Sequence, residues 1–105
     1  MSTIQKHWRK HAKPHKSGYC VVPEIRCKDG FAMSVQASAT HYCIPRDLLK
    51  TGKYAAWEVG FPTKRVAALM PFRERAPGKP TESVYSCVPT DVIDTIIEKH
   101  GGLAA

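Results

Sequence analysis

Acidic side chains are scarce in this sequence: nine Asp and Glu stand against sixteen Lys and Arg in 105 residues, a formal net charge of +7. No apolar run approaches the roughly 18 residues that a membrane span needs. The basic N-terminus also lacks the apolar stretch of a secretory signal. The expectation is therefore a cytoplasmic protein with no membrane partner. The sequence has no Gly-x-Ser-x-Gly elbow, His-Glu-x-x-His helix, Walker loop or Rossmann glycine pattern, so the common hydrolase, metalloprotease and nucleotide-cofactor chemistries lose their usual signatures. The chain is read as a non-enzyme without a cofactor. No internal repeat is visible at any period.

What is present suits one small domain. Hydrophobic residues make up 43% and charged residues 24%, well away from the composition of chains that stay disordered. A chain of this size builds only a modest core, whose thin stability margin a homo-oligomer would raise. The positive charge is concentrated at one end. Residues 1 to 17 hold Lys6, Arg9, Lys10, Lys13 and Lys16 with no acid, whereas the other 88 residues carry eleven basic and nine acidic side chains, an excess of 11 − 9 = +2. Residues 1–17 thus read as a basic arm and 18–105 as the folded domain. The arm is either an electrostatic contact for phosphates or an acidic partner, with Trp8 stacking on a base, or a solvated, poorly ordered terminus. His7, His11 and His15 add no metal site, since no cysteine or carboxylate lies among them.

Hydrophobic alternation sets out the domain. The run from Tyr19 to Val22 has strand propensity, and Phe31 to Ala37 alternates cleanly. A two-residue Asp29-Gly30 turn would set charges opposite the apolar face of the second strand. A three-residue loop with Gly30 in the left-handed region instead pairs Cys27 with Phe31, Ile25 with Met33 and Pro23 with Val35, uniting both apolar sets on one face. A third strand is expected near His41 to Ile44. A fourth, Ala55 to Phe61, places Trp57, Val59 and Phe61 on one face. Residues 66–70 are ambiguous between strand and helical turn. Arg73 to Glu82 is a loop, and Ser83 to Cys87 a last strand. A helix follows from about Asp91 to His100, capped by Thr90 or Asp91, with Val92, Ile93, Ile96 and Ile97 as its buried stripe. The predicted fold is α+β: an antiparallel twisted sheet of about four to five strands packed by a C-terminal helix.

Two clusters of chemistry-bearing residues stand out in the domain. Cys20, Cys27, Cys43 and Cys87 lack any Cys-x-x-Cys spacing, so they read as reduced, buried small hydrophobes rather than zinc ligands. His41 and Cys43 lie two apart on an extended segment, roughly 6.5 to 7 Å along it, a poor geometry for activating a thiol. The second cluster is His41, Tyr42 and Arg46 with Trp57, Lys64 and Arg65. Sheet neighbours that brought their loop ends together would gather three cations and two aromatic rings at one rim, suited to an anion carrying a base. The same residues also read as an ordinary solvated rim. Arg73 and Arg75 carry the same ambiguity.

Five short strings carry a resemblance to a known group: Cys27-Lys-Asp-Gly-Phe-Ala-Met-Ser-Val-Gln-Ala-Ser38, Tyr42-Cys-Ile-Pro-Arg-Asp47, Glu58-Val-Gly-Phe-Pro62, Leu69-Met-Pro-Phe72, and Val88-Pro continuing through Ile96-Ile-Glu-Lys-His-Gly-Gly102. Over about residues 19 to 102 the chain is similar to small bacteriophage and prophage accessory proteins. That resemblance brings no catalytic residues. It implies a protein acting in a bacterial host by binding: inhibiting an anti-phage defence, as anti-CRISPR proteins do on a protein or ribonucleoprotein, or sequestering an anionic nucleotide signal. The alternative expectation is a small nucleic-acid-binding protein that uses its basic N-terminal arm.

Overall fold

The computed structural model describes residues 2–74 and 78–105. Four strands form one antiparallel sheet in the order β1 (Ile25–Arg26), β2 (Ala32–Gln36), β3 (Ala56–Gly60) and β4 (Val84–Pro89). The helix α1 (Thr3–His11) precedes the sheet, and α2 (Thr90–Lys99) follows it and packs against it.

The three-residue hairpin forms as its sequence requires. Ile25 pairs with Met33, Cys27 N–H donates to the Phe31 carbonyl at 2.8 Å, and Gly30 has φ +94°. That positive φ is strained for any residue with a Cβ. Further up, the chain departs from the expected pairing. Pro23 and Val35 make no ladder contact; instead the Gln36 side-chain amide accepts from Val22 N–H at 2.9 Å and donates to the Val22 carbonyl at 2.8 Å. A side chain thus stands in for a strand partner.

Ladder register explains the core. Val35 faces Val59, Trp57 faces Val88, and Val59 faces Tyr85, so all five project to the same side as Ile25 and Met33. Ile93, Ile96 and Ile97 of α2 close over them, joined by Ile4 and Trp8 of α1.

Several sequence expectations are corrected. His41 to Ile44 is not a ladder strand; only Ile44 bridges β3, at Ala56. Phe61 leaves the Trp57/Val59 face because its φ of +51° turns it outward, and it is 58% exposed. Residues Ala67–Phe72 form a 3-10 helix, resolving the ambiguity there, and a second 3-10 turn (Pro80–Glu82) lies inside the expected loop. Neither Thr90 nor Asp91 caps α2, whose N-cap residue is Pro89. The Thr90 hydroxyl is taken by the fold: it accepts from the Trp57 indole at 2.9 Å and donates to the Tyr54 carbonyl at 2.7 Å.

The largest correction concerns the arm as a poorly ordered terminus. Residues 3–11 are helical, opened by a capping box in which the Ser2 hydroxyl accepts from Gln5 N–H and the Gln5 side chain accepts from Ser2 N–H. Ile4 and Trp8, one helical turn apart on a single stripe, are 0% and 1% exposed. Trp8 donates its indole N–H to the Ala37 carbonyl at 3.1 Å and meets Tyr54 edge-on at 5.6 Å. Ile4 N–H donates to the Asp94 carboxylate of α2 at 2.9 Å, a negative group at a helix N-terminus where the dipole favours it. Gly52, at φ +70°, lets the chain pass over Trp8; a Cβ there would lie 2.9 Å from the indole.

Candidate functional site

Burying Ile4 and Trp8 fixes which residues of α1 face outward. Lys6, Arg9 and Lys10 are exposed on the helix, and Lys13 and Lys16 on the segment that follows. No acid interrupts residues 1 to 17, so the helix and its extension present one sign of charge.

Beside α1 runs an open groove of about 520 Å³, lined by Lys6, His7, Lys10 and His11 from the helix, Arg26 from β1 and Leu103 beyond α2. The far wall exists because Ala104 N–H donates to the Arg26 carbonyl at 2.8 Å and Leu103 bridges Cys27, laying the 103–104 segment along β1. Glu24 also lines the groove and lies 2.7 Å from Arg26 in an exposed ion pair. That pair cancels itself and leaves Lys6 and Lys10 as the groove's excess charge. The His7 ring donates to the Pro23 carbonyl at 3.0 Å and lies 4.7 Å from the His11 ring. Burial lowers the His7 pKa below its ordinary value, opposed by the Pro23 contact and reinforced by His11 and Lys10. His7 is therefore neutral at physiological pH.

The rim expected around His41 is only partly assembled. Tyr42 is 48% exposed, and the Arg46 guanidinium sits 5.0 Å from its ring centroid. His41 is buried, bonded through Nδ1 to the Ser38 hydroxyl at 2.7 Å, and the Tyr19 ring stacks on it at 5.8 Å with a 26° tilt. Burial holds the His41 pKa down, with Glu58 opposing. Trp57 takes no part in a rim: it is 0% exposed. Trp8, placed by the sequence in a base-stacking arm, is likewise inside the core.

Lys64 and Arg65 are exposed but stand elsewhere. Ile44 meets β3 at its first residue, whereas Thr63 N–H donates to the Ala32 carbonyl past the strand's far end, and five residues of strand span about 13 Å. The Lys64 charge acts on Asp29 in the hairpin turn, away from Arg46. Arg73 is structural, donating to the Ser83 hydroxyl at 3.0 Å and to the Gly78 carbonyl. Arg75 lies outside the described residues.

The cysteines are free thiols, with Cys20, Cys27 and Cys43 buried. Cys43 donates to the Ser38 and Pro45 carbonyls, and burial pushes its pKa up. His41 spends its Nδ1 on Ser38, so the pair is built for packing rather than thiolate formation. No group of three or more potential metal ligands exists among the described residues, and no described helix is long and apolar enough to cross a membrane.

The sequence reading missed two contributors. Tyr19 lies in a run with strand propensity but in no ladder, and its ring stacks on His41, the neighbour of Tyr42 in the chain. The docking of α1 was also missed, although Ser2-Thr-Ile-Gln5 is a capping-box pattern and Ile4, Trp8 and Ala12 recur every four residues. No protein-family model matches the chain, and no curated protein or solved structure shows significant similarity to it.

Proposed function

We propose that the protein binds nucleic acid, with the exposed face of α1 and the segment after it contacting phosphates. The observation that carries this reading is the rigid display of charge: a helix with no acid, fixed by Ile4 and Trp8, holding Lys6 and Lys10 along a groove. Cations fixed on a scaffold lose less freedom on binding than the same cations on a frayed arm. Fixed lysines act as point charges toward phosphate oxygens, and each phosphate neutralised releases counterions. The narrower expectation, inhibition of a host defence complex, has the sequence likeness behind it, and a nucleic-acid component of such a complex is the target this face fits.

The test is fluorescence anisotropy with labelled oligonucleotides over a salt series. If Lys6, Lys10, Lys13 and Lys16 all engage, the slope of log K against log salt is about −2.8 on a single strand and about −3.6 on a duplex. The double substitution Lys6→Gln/Lys10→Gln should make the slope shallower by about 1.4 on a single strand. Absence of binding at low salt, or a slope indifferent to that substitution, would refute the proposal.

A further inference from the structure

We infer that the nucleic acid is single-stranded and that Tyr19 and Tyr42 are the platforms on which its unpaired bases stack. This inference rests on the phosphate-binding reading above and adds to it the class of ligand.

The exposed large hydrophobic residues point there. Tyr19, Val21, Tyr42 and Ile44 are each 48 to 50% exposed, and the two short segments that carry them meet where Tyr19 stacks on His41. Neither tyrosine hangs free. His41 backs the Tyr19 ring, and His41 is itself held by Ser38. Tyr42 is pinned through its backbone, its N–H donating to Glu58 at 3.2 Å and its carbonyl accepting from Cys87 N–H at 3.0 Å. Half-exposed rings on a fixed backbone are what sequence-tolerant single-strand sites use, because every base offers a π-face while a duplex hides its own.

Charge is arranged to match. Arg46 lies over one face of the Tyr42 ring, 5.0 Å from its centroid, so it presents a cation for a phosphate on that side and a base stacks on the opposite face. On the other side, His15 N–H donates to the Tyr19 carbonyl at 2.8 Å, which folds the basic segment back so that Lys13 and Lys16 lead from α1 to Tyr19. Two acids lie nearby and each is engaged by a backbone N–H: Asp47 accepts from Leu48 N–H at 2.7 Å, and Glu58 from Tyr42 N–H at 3.2 Å. A strand lying along α1 with its phosphates on the lysines therefore arrives at the tyrosines with its bases free to stack.

The experiment compares a labelled oligothymidylate with a duplex of equal length, using wild type, Tyr19→Ala, Tyr42→Ala and the Lys6→Gln/Lys10→Gln variant. Wild type should prefer the single strand. Each alanine variant should lose about tenfold or more on the single strand and bind the duplex as wild type does, which also shows that it is folded, and Tyr→Phe at either position should restore the affinity. Photocrosslinking of wild type to a bromouridine-substituted strand should place adducts on Tyr19 or Tyr42. Equal affinity for the two nucleic acids, alanine variants that match wild type, or adducts confined to other residues would overturn the inference while the lysine variant still loses binding. Loss of all nucleic-acid binding in wild type overturns this inference and the phosphate reading together.

Discussion

Replacing Trp8 with alanine tests whether the basic helix is part of the fold. The side chain is 1% exposed, and a buried tryptophan covers about 150 to 250 Å². At about 25 cal/mol per Å² that is roughly 4 to 6 kcal/mol of transfer free energy, an upper figure because unfolded chains already bury some surface. Substitutions of this kind in other cores cost about 3 to 5 kcal/mol. The variant also strands the Ala37 carbonyl, which accepts the indole N–H, a loss contained within that range. Against a total stability of about 5 to 15 kcal/mol, Trp8→Ala removes a large share. Urea denaturation followed by far-UV circular dichroism should show a midpoint lowered by roughly 2 M, taking a slope of about 2 kcal/mol per M. The control is Lys6→Gln/Lys10→Gln, expected within about 0.5 kcal/mol of wild type because these side chains are exposed. Equal midpoints for Trp8→Ala and the control would refute the docked helix. The same reasoning disqualifies deletion of residues 1–17 as a binding test, because it removes Ile4 and Trp8 together with the charges.

Gln36→Leu should destabilise by about 1 to 3 kcal/mol in the same denaturation assay, since it leaves the Val22 N–H and carbonyl without their partner. Gly52→Ala should cost more than Gly30→Ala: both have positive φ, but a Cβ at Gly52 meets the Trp8 ring at 2.9 Å whereas Gly30 has nothing within 4 Å, so Gly30→Ala reads strain alone, about 1 kcal/mol. Acid should weaken the fold through His7 and His41, whose pKa values burial lowers from 6.5. The unfolded chain then binds more protons, so the contribution of these two histidines is level above about pH 7, falls as pH drops through 6.5 and levels off once pH passes their folded values. His41→Asn should flatten part of that slope in thermal melts taken across the range.

Where sequence succeeded, one physical constraint decided the outcome. The hairpin was legible because a one-residue slip moves every apolar side chain to the wrong face, and only the Cys27–Phe31 closure avoids that. The α2 stripe was legible because Val92, Ile93, Ile96 and Ile97 leave one way to be buried. Residues 41–44 failed for an instructive reason: their burial does alternate, with His41 and Cys43 in and Tyr42 and Ile44 out, but alternation reports extended backbone and burial, not ladder pairing. Most of this segment's bonds go to side chains and loops, among them Glu58 and Ser38. Gathering Lys64 and Arg65 with Arg46 needs sheet neighbours whose loop ends meet, but Ile44 bridges the first residue of β3 while Lys64 and Arg65 follow its far end, so a strand's length separates them, and Trp57 points into the core.

The arm carries the deeper lesson. Its charge is visible at once and its two anchors are not, because a helix with five cationic or imidazole side chains among nine residues averages out as polar while Ile4 and Trp8 do the burying. The same short segment carries charge on one face and core on the other. This dual role ties function to folding. A substitution that loosens Trp8 also releases the lysines from their fixed positions, so binding should weaken in step with the exchange rates of the α1 amides, even in variants that keep every charge. If affinity instead stays constant while those amides exchange freely, the lysines act as a mobile tether, and the helix serves the fold alone.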